Sequence, residues 1–356
     1  MKKNHESDMA HHSHRPMRRA ALDHILAFFL GLLLPALSLR SAQAKPPPKS
    51  IDRLRAPTPP PTLVRERALE GGEQFSAYLA SYNSAGLKVH ALIAVPRSDP
   101  PKGGFPVIVA SHGTHPNPAR YGFSEAGVDS RPGDYYRPIP ALFTVRGFIV
   151  VMPDFRGHNT SEGAEYVGGF LSPAYYAEDV VALLSAIPQI TNADARNVFL
   201  WGHSMGGEVT LRALLAVPSI RAASLWSTAF GDIWERAAYY EQRGNPGAVA
   251  KLRADIDALG AVFDPKSITI DGRLKDLRVP INIHHAIEDQ ATLMAWAEAL
   301  AEKLSASGAT VNFYRYPGDD HFFDGEVRDR AADRDADLFR SAIIDSAVAR
   351  EDHHGP

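Results

Sequence analysis

Asn197-Val198-Phe199-Leu200-Trp201-Gly202-His203-Ser204-Met205-Gly206-Gly207 runs from a short apolar stretch through a glycine-flanked serine into an amphipathic segment over 209–217. β-Forming residues, a tight turn and a helical repeat in that order predict strand, sharp turn and helix. A serine on such a turn is forced into strained backbone geometry, and only small neighbours such as Gly202 and Gly206 let strand and helix pass that close. The turn lifts the Ser204 hydroxyl above the sheet. It also aims the N–H of Met205, at the positive end of the new helix, towards an oxyanion formed beside the serine. Ser204 is therefore the candidate nucleophile and Met205 N–H the first oxyanion donor.

Outward from this elbow the pattern alternates. Strands over 148–152, 198–201, 222–226, 280–285 and 310–316, with helices over 174–187, 205–217 and 291–306 and a closing helix from Val327, predict an α/β architecture. Its sheet is mostly parallel, with helices on both faces. Upstream, β-rich runs over 74–82 and 87–95 flank Asn83-Ser84-Ala85-Gly86, a hairpin connection, and Phe105–Ser111 is apolar enough for a strand covered on both faces. Active sites in such sheets lie at the carboxyl ends of the strands, where Ser204 falls. Two insertions break the rhythm, a Pro/Gly/Tyr-rich loop over 114–137 and a cap over 227–276, and insertions of that length are commonly lids or binding loops.

The 356 residues, 45% of them hydrophobic, suffice for one large domain, placed at 74–350. Residues 1–44 read as an export signal: Arg15, Arg18 and Arg19 precede an apolar run over 25–39, and Ala42-Gln43-Ala44 fits a small-x-small cleavage site. That run holds Pro35 and is about 15 residues, short of the roughly 20 a span needs, so a cleaved, periplasmic or secreted protein without stable membrane insertion is expected. Residues 45–73 are rich in proline and predict an extended, solvated tether. The absence of cysteine excludes disulfides, thiolate catalysis and cysteine-held metals. Net charge is −3, and no basic cluster with interleaved aromatics follows the signal, which argues against a nucleic-acid partner. His11, His12, His14, His353 and His354 lie in tails and are assigned no metal; no cofactor is expected.

Ser81-Tyr82-Asn83-Ser84-Ala85-Gly86-Leu87, His112-Gly113, Arg146-Gly147-Phe148, Asp154-Phe155-Arg156-Gly157, Gly202-His203-Ser204-Met205-Gly206-Gly207, His285-Ala286-Ile287-Glu288-Asp289 and Tyr316-Pro317-Gly318-Asp319-Asp320-His321 follow one another in that order. Over 74–349 this series resembles the α/β-hydrolase superfamily. It is most similar to the catalytic domain of prolyl oligopeptidase family serine peptidases, with dienelactone hydrolases and carboxylesterases alongside. Where that family often has His-Gly before the acid loop, this chain has His285-Ala286. The resemblance implies an α/β-hydrolase fold and a Ser-His-Asp triad, with Asp289 as its acid.

Chemistry and chain order lead to the same groups. A serine hydroxyl needs a base, and the base needs a third group to fix its tautomer. On this fold the order is serine, acid, histidine. Downstream of Ser204, His284 and His285 sit at a strand end and His353 and His354 in a tail, leaving His321 in a Gly/Asp-rich loop as the base. His203 adjoins the nucleophile, but neighbouring side chains on a sharp turn diverge, so it packs below the elbow. Asp289 follows the 280–285 strand. Glu288 is its nearest competitor, Asp319 and Asp320 are too close to His321 in sequence, and Asp154 and Asp179 are assigned to holding loops and helix ends. The second oxyanion donor belongs to the loop after the third strand, with Thr114 N–H first and His115 next.

Substrate size follows from what surrounds the site. Residues 45–73 leave no room for the propeller that screens substrates in the resembled family, so access is expected to be governed by the two insertions. Their aromatics, Tyr121, Tyr135, Tyr136, Phe230, Trp234, Tyr239 and Tyr240, either line a small apolar pocket or fill a core beneath the cap. A small ester or short peptide is the expected substrate. Esters are preferred because no acidic motif for a peptide amino terminus is recognisable. An acyltransferase or a binding protein on the same fold is the reading from another class.

Overall fold

The computed structural model describes residues 45–114 and 134–344; residues 1–44, expected to be an export signal, and His115, Tyr121, His353 and His354 lie outside the described residues. In chain order the main elements are α1 (Ile51–Arg55), β1 (Val64–Leu69), β2 (Phe75–Ser84), β3 (Leu87–Pro96), β4 (Phe105–Ser111), α2 (Ile139–Thr144), β5 (Ile149–Asp154), α3 (Ser172–Ala186), β6 (Ala193–His203) and α4 (Met205–Ala216). They continue with β7 (Ala223–Trp226), α5 (Ile233–Glu241), α6 (Ala248–Asp257), β8 (Ile281–Ala286), α7 (Met294–Ala306), β9 (Val311–Tyr316) and α8 (Gly325–Ser341).

Among the described residues, nine strands form one sheet in the order β1-β2-β3-β5-β4-β6-β7-β8-β9. The first three and the β3–β5 pair are antiparallel; from β5 to β9 every pair is parallel. Every residue of β5, β7 and β8 is buried, because helices cover both faces and leave no solvent side for polar alternation. One face carries α3, α4 and α7 through residues such as Val180, Leu183, Leu211, Leu215 and Leu300. The other carries α2 and α8 through Ile139, Phe143 and Phe339 against Phe148, Phe199 and Trp201. Strand order reverses at β4, which is flanked by β5 on one side and β6 on the other, and Ser111 pairs with Gly202. This switch point places the loops after β4 and β6 side by side at the carboxyl ends of the strands, where open α/β sheets bind ligands.

Order begins before 74, which corrects the solvated tether. Ile51 and Leu54 of α1 are buried in the core, Arg55 Nε donates to the Leu215 carbonyl, Tyr175 Oη donates to the Pro46 carbonyl, and β1 pairs with β2 along the sheet edge. Prolines set local backbone angles but do not prevent the residues between them from docking. Strand β1 escaped the pattern reading because an edge strand exposed on both faces carries charged residues, here Arg65, Glu66 and Arg67, without alternation. Within the cap, 227–276, lie α5, α6 and two 3₁₀ turns, Pro265–Ile268 and Asp271–Asp276. Among the described residues no helix is long and apolar enough to cross a membrane.

Candidate active site

Strand β6 ends at His203 and α4 begins at Met205, leaving Ser204 alone on the turn with φ 56° and ψ −123°. A non-glycine residue there costs on the order of 1–3 kcal/mol and persists only where its surroundings over-determine it. The surroundings do so here. Ser204 N–H donates to the Trp226 carbonyl, and the Ser204 carbonyl accepts from Gly207 and Ala229. A Cβ on Gly202 would collide with the Gly206 carbonyl, and one on Gly206 would collide with the Ser111 carbonyl, so both positions need glycine for close approach.

Asp289 and His321 meet at the ends of β8 and β9. His321 Nδ1 lies 2.9 Å from Asp289 Oδ2, and both side chains are buried. The acid is fixed by its own loop: Oδ1 accepts the N–H groups of Ala291 and Thr292, at 2.8 and 2.9 Å. Those bonds hold 291–292 in the turn, which is why α7 starts at Met294 and not at Ala291. Thr292 Oγ1 sits 2.7 Å from Asp289 Oδ2 and 3.4 Å from His321 Nδ1, with the Ser227 carbonyl also in reach. Burial pushes the Asp289 carboxyl up, but the neighbouring His321, His285 and the Thr292 N–H outweigh it and hold the acid well below the usual carboxylate range. Asp289 is thus a carboxylate across the working pH range, able to keep the Nδ1 proton of His321 in place.

The loop after β4 runs against the elbow. A Cβ on Gly113 would stand 2.9 Å from Ser204 Cβ, and Thr114 Oγ1 lies 3.6 Å from Met205 Sδ. Thr114 and Met205, the two oxyanion residues expected from sequence, are therefore neighbours. Gly113 N–H is engaged elsewhere: it donates to Tyr136 Oη at 2.8 Å.

The competing residues have other partners. Glu288 accepts the N–H of Gly318, and Asp179 pairs with Arg156 at 2.7 Å. His203 is fully buried beneath the elbow, with Nδ1 2.6 Å from Tyr136 Oη and Nε2 2.9 Å from the His321 carbonyl. His285 Nε2 meets the Thr292 carbonyl. Several insertion aromatics hold structure in place of lining a pocket. Tyr135 and Tyr136 pack on His203, while Tyr239 and Tyr240 donate to the carbonyls of Gln290 and Ala291 and pack on Trp296. Phe230 lines a separate cavity of about 400 Å³ with Ile233, Ile268, Trp296, Glu208 and Arg212; the lining includes none of Ser204, Asp289 and His321. Glu208 there is a buried carboxylate bridged to Arg212 at 2.6 Å and Arg236 at 2.8 Å. Sequence reasoning missed Thr292 and named Tyr136 only as a pocket-lining or core aromatic, because their hydroxyls reach the site only through tertiary contact; a threonine three residues after the acid was the one local signal.

The family described as Serine aminopeptidase, S33 matches residues 133–253, and the Dienelactone hydrolase family matches 247–343. The chain has the α/β-hydrolase fold. It is a serine hydrolase of the esterase or peptidase type. A relative of this hydrolase, "Uncharacterized peptidase YtmA" of Bacillus subtilis (strain 168), is 24% identical over 253 residues, covering 69% of this chain and 86% of its own. Acetyl xylan esterase 1 from Thermoanaerobacterium sp. JW/SL YS485 superposes with a TM-score of 0.57 at 15% identity, covering 86% of the hydrolase and 99% of the esterase. Acylaminoacyl peptidase of Pyrococcus horikoshii superposes with a TM-score of 0.57 at 17% identity, over 76% of the hydrolase and 42% of the peptidase. At these identities the solved structures share the fold.

Proposed function

We propose that this protein is an exported serine hydrolase that cleaves a carboxylic ester of a small substrate through Ser204, His321 and Asp289. The observation that carries the reading is the buried Asp289–His321 pair beside a strained serine elbow, with His321 anchored through its carbonyl to the residue preceding the nucleophile. His321 takes the Ser204 proton as the hydroxyl attacks the acyl carbon. The N–H groups of Met205 and Thr114 hold the oxyanion of the tetrahedral intermediate. His321 then protonates the leaving alcohol, an acyl-enzyme remains on Ser204, and water activated by the same imidazole releases the acid. Asp289 stays ionised throughout and stabilises the imidazolium.

Small substrates are favoured because Tyr239 and Tyr240 tie α5 of the cap to the acid loop, which keeps the cap beside the site. Export rests on the basic-then-apolar character of 1–44 and would appear as activity in the periplasmic or culture fraction. The second reading, cleavage of a short peptide or acylated amino acid, is favoured by the peptidase relatives. A matched panel of short- and long-chain nitrophenyl esters beside aminoacyl and dipeptidyl anilides separates the two. We expect short esters to have the highest kcat/KM and Ser204→Ala to lose about 10⁴- to 10⁶-fold. Higher values for anilides would move the assignment to a peptidase, and full activity in Ser204→Ala would remove it.

A further inference from the structure

Beneath the elbow runs a chain of buried polar groups that the triad does not use. Gly113 N–H lies 2.8 Å from Tyr136 Oη, Tyr136 Oη 2.6 Å from His203 Nδ1, and His203 Nε2 2.9 Å from the His321 carbonyl. The direction of every proton is fixed by its ends. A carbonyl only accepts, so His203 Nε2 carries the hydrogen. A neutral ring then has a lone pair at Nδ1, so Tyr136 donates to it, and the phenol oxygen accepts from Gly113. His203 is fully buried and Tyr136 nearly so, and burial holds His203 neutral and the phenol protonated. Tyr135 and Phe322 enclose the ring, with centroids 4.9 and 5.4 Å from that of His203.

The chain touches all three loops that must be in register for the reaction. Gly113 belongs to the loop of the second oxyanion donor and lies against Ser204, His203 directly precedes the nucleophile, and His321 is the base. We propose that Tyr136 and His203 are positioning residues that lock the oxyanion loop to the base loop across the floor of the elbow. By engaging Gly113 N–H they leave the N–H of Thr114 as the second oxyanion donor. This rests on the assignment of Ser204, His321 and Asp289 above. A displacement of about 1 Å in such a constellation can cost on the order of 100-fold, whereas a floor that only fills space would change the folded fraction and leave each folded site at full speed.

Tyr136→Phe keeps the ring and removes the hydroxyl, leaving Gly113 N–H and His203 Nδ1 without it. Sites are counted by stoichiometric fluorophosphonate titration and rates expressed per titrated site. The expected result is a fall in kcat of about 10- to 100-fold, KM within about threefold, and affinity for an alkylboronic acid, which mimics the tetrahedral intermediate, reduced by the same factor as kcat. Should Tyr136→Phe not fold, His203→Gln is measured in the same way, with the same expectation. Per-site kcat and boronate affinity within about twofold of wild type in the folded variant would overturn the proposal. Ser204→Ala separates this from the underlying assignment. Activity and labelling retained in Ser204→Ala overturn the triad, whereas an inert Ser204→Ala beside a fully active Tyr136→Phe overturns the floor chain alone.

Discussion

Two buried Asp–His pairs flank the carboxyl half of the sheet, each with 2.9 Å between nitrogen and oxygen. Asp335 and His284 form the one between α8 and β8. There Tyr316 Oη, accepting from Arg334, donates to His284 Nδ1, and Asp335 also accepts from Trp226 Nε1 and Asn282 Nδ2. Both ring nitrogens are engaged in the core, so the pair is a clamp between helix and sheet. Asp289 and His321 differ in setting rather than in contact geometry. Their ties run to Nδ1 and to the His321 backbone carbonyl, and the ring stands beside a strained serine. An Asp–His contact therefore does not identify a catalytic site; what lies on the imidazole's far side does.

Converting each acid to its amide separates the two pairs. In Asp289→Asn the new amide N–H faces His321 Nδ1, the ring adopts the wrong tautomer, and kcat/KM should fall about 10⁴-fold with the fold intact. In Asp335→Asn the oxygen can keep His284 and Asn282, but the amide N–H faces Trp226 Nε1. A loss of roughly 1–3 kcal/mol of stability is expected from that unsatisfied donor, with kcat per titrated site within about twofold of wild type. Steady-state kinetics and chemical denaturation on both variants check the pair of outcomes; exchanged phenotypes would reverse the assignment.

A smaller effect is expected at Thr292, which has no counterpart at Asp335. Thr292→Val removes the hydroxyl beside Asp289 Oδ2 while its backbone N–H still holds Oδ1. A hydrogen bond to a charged group is worth about 1.5–3 kcal/mol, so kcat should drop roughly 10- to 100-fold, and the accompanying Ser mutant should recover most of it. An unchanged kcat would show that the backbone alone orients the acid.

These contacts also mark how far the sequence could be read. Strand Phe105–Ser111 and the Met205 start of α4 are legible because uniform apolarity and the glycine-serine turn are local signals. Ser204, Asp289 and His321 can be ordered along the chain for the same reason, each being bound to a strand end. Thr292 and Tyr136 could not be assigned, since their hydroxyls act across 29 and 67 residues of sequence, on His321 and His203. Strand β1 and helix α1 were hidden by charge and proline, whose local preferences say little about docking onto a distant surface.

The last expected effect concerns acid stability. Burial pushes His158 down to about 4 and holds His203 and His285 below the ordinary imidazole value. In each case the folded value lies under the unfolded one, about 6.5, so the unfolded chain binds more protons between the two. Stability is complete above about pH 6.5 and declines as pH falls towards the folded values, by at most ~1.4 kcal/mol per pH unit for each group. Denaturation midpoints measured at pH 7.5, 6 and 5 should fall in that order, and His158→Gln should flatten the slope; a midpoint independent of pH over that window would contradict the neutral buried histidines.

Labelling the folded protein with a fluorophosphonate and mapping the adduct by peptide mass spectrometry decides whether Ser204 is the nucleophile activated by His321. One adduct per chain is expected, on Ser204, absent in Ser204→Ala and formed much more slowly in His321→Ala. An adduct on another residue, or labelling of Ser204→Ala at the wild-type rate, would contradict it.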